Sequence, residues 1–125
     1  MNIPKELLYS NDHEWLRIEG DQAFIGITDF ASHELGDIVY IEINDDEDIP
    51  MGEPFGSIEA VKTVSDLLMP VTGSIIEANA ELEDAPELIN QDPYGKGWIV
   101  KIQLSGDYST DHLMNAEAYA EFIQG

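Results

Sequence analysis

Four lysines and one arginine stand against 26 acidic residues in this 125-residue chain. One of the lysines is placed where chemistry can be done. Lys62 lies in Glu59-Ala60-Val61-Lys62-Thr63-Val64-Ser65-Asp66, between two β-rich segments, which puts it at or beside a hairpin tip. A tip amine is exposed and reachable from most directions. Once acylated, it could carry a long tether clear of the protein surface. Position alone fits equally well an exposed turn lysine that serves only solubility.

Other chemistries lack their parts. There is no cysteine, hence no disulfide framework, no thiolate nucleophile and no cysteine-type zinc or iron–sulfur site. Any sulfur chemistry must arrive on an attached cofactor. His13, His33 and His112 have no metal-ligand spacing. Ser57 and Ser65 sit in no Gly-x-Ser-x-Gly elbow. Gly95 and Gly97 read as shaping a turn, and Trp15 and Trp98 as core anchors. The acidic runs Asp45-Asp46-Glu47-Asp48 and Glu81-Glu83-Asp84-Glu87 read as solvated surface, since a calcium loop's glycine and glutamate spacing is missing.

The formal charge of -21 excludes two partner classes, because neither nucleic acid nor an anionic membrane meets enough Lys and Arg here. Proteins with basic docking surfaces are the expected partners. At 43% hydrophobic the chain is compositionally a folded one, and its length suits a single domain over 1–125. No apolar run approaches membrane-spanning length. The segment Met1-Asn2-Ile3-Pro4-Lys5-Glu6 lacks the character of a signal or transit peptide, so a cytoplasmic location is expected.

The elements that must position Lys62 are mostly strands. Alternation predicts strands over 13–18, 22–27, 37–43, 55–60, 64–68, 74–78 and 98–104, with Glu19-Gly20-Asp21 as a hairpin turn. Val39, Ile41 and Ile43 are expected inward, as are Trp98, Val100, Ile102 and Leu104. A short helix over 30–35, capped by Thr28 or Asp29 and ended by Gly36, interrupts them. Residues 84–89 hold a helical turn, and 115–124 form an amphipathic C-terminal helix. The fold class is therefore mainly β, a flattened antiparallel barrel or sandwich with short helices.

Met51-Gly52-Glu53-Pro54-Phe55-Gly56-Ser57-Ile58-Glu59-Ala60-Val61-Lys62 followed by Met69-Pro70-Val71-Thr72-Gly73 resembles the lipoyl and biotinyl carrier superfamily. Ser57 to Gly73 is similar to the glycine cleavage system H protein family. His13-Glu14-Trp15, Gly26-Ile27-Thr28-Asp29, Leu35-Gly36-Asp37-Ile38-Val39 and Pro93-Tyr94-Gly95-Lys96-Gly97-Trp98 extend the likeness over nearly the whole chain. The resemblance implies a lipoyl-domain-like hybrid fold and a carrier rather than an enzyme, with lipoic acid in amide linkage on Lys62. It implies a pyridoxal-phosphate glycine decarboxylase that loads an aminomethyl group and a tetrahydrofolate-dependent aminomethyltransferase that removes it. Dihydrolipoamide dehydrogenase and lipoate-attaching enzymes complete the partners, and the carrier is expected to be a monomer. The resemblance also points to Glu14 and Asp66 as carboxylates that hold the loaded, cationic arm, with Asp12 a weaker candidate.

Departures from the family pattern are Ala60, where serine is usual, the apolar pair Leu68-Met69, and Glu34 where histidine is frequent. Alternatives are a biotinyl carrier, a lipoyl module of a 2-oxoacid dehydrogenase, and an acidic adaptor without cofactor. Val61 and Thr63 replace the methionines that flank a biotinyl lysine, and 2-oxoacid modules are shorter and lack the C-terminal helix.

Overall fold

A computed structural model describes residues 2–44 and 48–124, so most of the acidic run from Asp45 lies outside the described residues. Eight strands and four helices follow one another as β1 Leu8–Tyr9, β2 Glu14–Glu19, β3 Gln22–Ile27, α1 Asp29–Leu35, β4 Ile38–Ile43, β5 Pro54–Ala60, β6 Val64–Leu68, β7 Gly73–Ala78, α2 Glu81–Asp84, α3 Leu88–Gln91, β8 Val100–Leu104 and α4 Ala116–Gln124. They build two antiparallel sheets, ordered β1-β2-β3-β8-β7 and β4-β5-β6. The mainly β sandwich with short helices is thus the observed fold.

Alternation explains the layering. Leu16, Ala23, Ile25, Val100 and Ile102 of the larger sheet meet Ile38, Phe55, Ile58 and Leu67 of the smaller one in a single buried cluster. Each such aliphatic or aromatic side chain contributes roughly 1.5–3 kcal/mol on burial. A second cluster, with Leu7, Tyr9, Trp15 and Tyr119, forms where α4 packs against β1. Tyr9 and Tyr119 stack there with ring centroids 4.7 Å apart.

Two expectations need correction. The register slips between Ile38 and Tyr40, so the bulge turns Ile38 inward and leaves Val39 45% exposed. Trp98 lies before β8, outside the inward row, and packs edge-on against Phe24 at 5.2 Å in the second cluster. Residues 84–89 do hold a helical turn, with the Leu88 and Ile89 N–H groups on the Ala85 and Pro86 carbonyls, and it joins the two short helices α2 and α3. The two-residue strand β1 gives no periodic signal and was not expected from sequence; its backbone instead pairs Tyr9 with Met114.

Candidate functional site

Lys62 occupies the loop 61–63 between β5 and β6. The hairpin closes through Ala60 N–H to the Thr63 carbonyl at 2.8 Å, and Val61 N–H reaches Asp37 at 3.1 Å. Val61 is 71% exposed and Val64 62%, so Lys62 stands on a projecting tip whose flanking side chains are apolar and in water. Isolated apolar exposure is ordinary, but two valines framing the one tip lysine suit contact with another surface.

The far end of β6 touches a carboxyl. Glu14 is 3% exposed at the start of β2, and its Oε2 accepts the Leu68 N–H at 2.8 Å. The local sequence fixes it there. Ser10 Oγ receives the N–H groups of Asp12 and Glu14, each at 3.2 Å, which makes a tight turn ahead of the strand. With both N–H groups received, the Ser10 hydroxyl hydrogen is left for Glu14 Oε1, a long 3.4 Å away. One residue on, Trp15 lies across Gly26 and donates from Nε1 to the Pro93 carbonyl at 2.9 Å. A β-carbon at position 26 would come within 2.6 Å of that indole nitrogen, so glycine is required for the strand pair to close.

Burial raises the Glu14 carboxyl from 4.5 to about 8, against the lowering effect of the Leu68 hydrogen bond and with some help from Asp12. Burial thus favours the protonated form of Glu14. Its carboxyl lines a cleft of about 270 Å³ between β2, α1 and β6. Asp66 sits exposed at the β6 rim of the same cleft, and Asp12 and Glu34 also line it, with Ile27, Ile58 and Leu67 as apolar floor. Sequence reasoning brought Glu14 and Asp66 together only through a resemblance, and the fold brings them together in space. No hydrogen bond joins the two.

Sequence reasoning missed one set of groups at the cleft. Tyr119 Oη on α4 lies 2.7 Å from Thr28 Oγ1 and 2.9 Å from His13 Nδ1. Thr28 is the N-cap of α1, and its Oγ1 accepts the Ala31 N–H at 3.1 Å. His13 takes a left-handed backbone at φ 65° and lines the cleft. Its ring packs between Phe30 at 4.9 Å and Phe122 at 5.6 Å. Nothing in local spacing joins residues 13, 28 and 119, since the contact is made across 91 and 106 positions.

An exposed amine on a hairpin tip can bear a tether, and a half-apolar cleft rimmed by carboxylates, one of them on the same hairpin's β6, can receive a cationic end. Among the described residues no three of His, Cys, Asp and Glu gather as metal ligands would, and no helix is long and apolar enough to cross a membrane.

Comparison with known proteins identifies the family. The family described as Glycine cleavage H-protein matches residues 7–125. The chain is 49% identical over 126 residues to the glycine cleavage system H protein of Bacteroides thetaiotaomicron, covering all of both chains. It is 52% identical over 124 residues to that of Staphylococcus carnosus, with 98% of each covered. The crystal structure of a glycine cleavage system H protein from Mycobacterium marinum superposes with a TM-score of 0.89 at 37% identity, over 98% of this chain and 100% of that one. With its fold, its projecting lysine hairpin and a match running from residue 7 to residue 125, the chain belongs to the glycine cleavage H-protein family.

Proposed function

We propose that this chain, a single carrier domain, bears lipoic acid on Lys62 and carries an aminomethyl group between enzymes of glycine cleavage. The donor is a pyridoxal-phosphate glycine decarboxylase and the acceptor a tetrahydrofolate-dependent aminomethyltransferase. Dihydrolipoamide dehydrogenase and a lipoate-attaching enzyme complete the cycle. When bound, lipoic acid supplies the dithiol on which the one-carbon group travels. The observation that supports this most directly is the exposed Lys62 tip of the β5–β6 hairpin, whose β6 strand supplies Asp66 to the cleft it shares with Glu14.

The chain's own residues then do three things. Lys62 presents its amine at the tip, where an attaching enzyme reaches it and where a tethered arm sweeps through partner sites at high effective concentration. Glu14 and Asp66 offer oxygen to the cargo's ammonium. A nitrogen held as ammonium has no free lone pair with which to push out the sulfur on the shared carbon, the step that precedes attack by water and release of ammonia, so the cleft protects the cargo between enzymes. Ile58 and Leu67 limit water at the floor. The remaining acidic surface steers the carrier toward basic partner faces.

Peptide mass mapping of protein made in a lipoate-replete host tests the reading. The lipoyl mass is expected on the peptide holding Lys62 and on none holding Lys5, Lys96 or Lys101. Lys62→Arg should keep the fold and abolish both attachment and shuttling, because a guanidinium does not form the amide. Biotin on Lys62, or lipoate on another lysine, would sink the assignment.

A further inference from the structure

Resting on the reading of the cleft as the holding place for an ammonium cargo, we propose that Tyr119 is a positioning residue. Its phenol receives the Thr28 hydroxyl hydrogen and gives its own to His13 Nδ1, which fixes the imidazole neutral, with its proton on Nε2, as an uncharged wall beside the cation.

The direction of this relay follows from counting hydrogens. Thr28 is 0% exposed, and the polar groups that reach its oxygen are the Ala31 N–H, which donates to it, and the Tyr119 hydroxyl. The Thr28 hydrogen therefore has one place to go, the Tyr119 oxygen. That frees the Tyr119 hydrogen for His13 Nδ1, 2.9 Å away, which must then be a bare nitrogen. In the reverse direction His13 Nδ1–H donates to Tyr119, Tyr119 donates to Thr28, and the Thr28 hydrogen is stranded in a site closed to water. A stranded buried donor is costly. An imidazolium carries a hydrogen on Nδ1, so it either forces that reverse direction or leaves the phenol oxygen accepting from both neighbours with its own hydrogen stranded. Tyr119 is also 0% exposed. Protonating the ring therefore orphans a buried hydroxyl hydrogen, on Thr28 or on Tyr119.

The surroundings act on the ring from every side. Asp12 beside it and Glu34 on α1 favour the charged ring, and Glu14 and Asp66 face the same cleft from β2 and β6. Against them, burial among Phe30, Phe122 and Tyr119 lowers the titration of His13, and α4 meets the ring with the phenol of Tyr119. Four carboxyl groups and no cation then line the cleft, which suits a positive guest. The same phenol grips the N-cap of α1, so one side chain on the C-terminal helix ties together two walls of the cleft.

Long-range ¹H–¹⁵N NMR of the histidine-labelled, unlipoylated full chain tests this. In wild type at pH 7, His13 is expected neutral with the proton on Nε2, and titrating below the ordinary 6.5. Tyr119→Phe should mix the tautomers and move the midpoint up toward 6.5, while Thr28→Ser, which keeps the hydroxyl, should behave as wild type. In lipoylated, loaded protein, Tyr119→Phe should lose ammonia faster. An Nδ1–H tautomer or an imidazolium in wild type at pH 7 would overturn the proposal. So would an unchanged tautomer and midpoint in Tyr119→Phe. If that variant fails to fold, the wild-type tautomer decides alone. A wild type that shows the Nε2–H tautomer yet accepts no cargo would sink the functional reading and leave the relay standing.

Discussion

Replacing Glu14 by glutamine isolates the energetics of the buried carboxyl. The folded chain holds this group at about 8, whereas in the unfolded chain it returns to near 4.5. Between those values the unfolded state gives up a proton that the native state keeps, so stability must fall as pH rises. Glu14's contribution is fully present below 4.5 and is lost progressively through 8. The slope is roughly 1.4 kcal/mol per pH unit for a single proton, so Glu14 alone removes about 3 kcal/mol between pH 5 and pH 7. That is a large share of the about 5–15 kcal/mol that holds a typical domain folded. Glu14→Gln keeps an oxygen to accept the Leu68 N–H and cannot ionise. Every other carboxylate is common to both proteins, so the difference between two urea-unfolding series cancels them. Fluorescence of the fully buried Trp15, next in sequence, reports unfolding. The variant should be close to wild type at pH 4.5 and gain on it by about 3 kcal/mol by pH 7, levelling off above pH 8. Parallel curves across pH 5 to 7 would refute a protonated Glu14.

Glu14→Ala in loaded protein should speed ammonia loss roughly ten- to a hundredfold, the value of one shielded charge-assisted contact. Asp66→Ala should do so only a few-fold, because Asp66 is exposed and its attraction is screened; colorimetric ammonia release after removal of the decarboxylase measures both, and equal rates in all three proteins would reduce the carboxylates to surface residues. Association with the decarboxylase should slow as salt rises, since -21 charges act over a Debye length of roughly 8–10 Å, and a rate indifferent to salt in stopped flow would shift recognition to the apolar tip around Val61 and Val64. Gly26→Ala should cost about 1–3 kcal/mol in urea unfolding, as its β-carbon meets the Trp15 indole, and an unchanged midpoint would show that the indole can move aside.

What the sequence reveals here depends on whether the information is local. The α1 cap is local, and Thr28 serves as expected, with Gly36 closing the helix at φ 80°. The β5–β6 hairpin is local as well, because Phe55, Ile58 and Leu67 alternate inward around a short exposed tip. The bulge at Val39 is not local. It arises where β4 must follow β5 past Ala60, and nothing in Asp37-Ile38-Val39-Tyr40 announces the slip. Trp98 misleads for the same reason, since it extends the alternation of β8 perfectly while its partner Phe24 lies on another strand. At the site, Lys62 is legible because a tip lysine is defined by its neighbours in sequence. Glu14 reads as an ordinary strand-end acid until Leu68, 54 positions away, donates its N–H and closes water off.

A carboxyl that is buried, protonated and facing a cleft is an unusual thing to keep, because glutamine or leucine would be less costly there at neutral pH. It makes sense if the native guest is a cation. Without cargo, a charged Glu14 would have no partner strong enough to offset its desolvation, so the proton stays. An ammonium arriving in the cleft supplies that partner, and the proton then leaves as the cation enters, one positive charge replacing another in a site of nearly constant net charge. The exchange needs a neighbour that does not itself take up the positive charge. His13 is the nearest ring capable of that, and its Nδ1 is engaged by Tyr119. Glu14 therefore answers to the guest and His13 does not. The division follows from the hydrogen bonding: Glu14 lines the cleft that the guest enters, whereas protonating His13 would strand the Thr28 or the Tyr119 hydrogen in a closed interior.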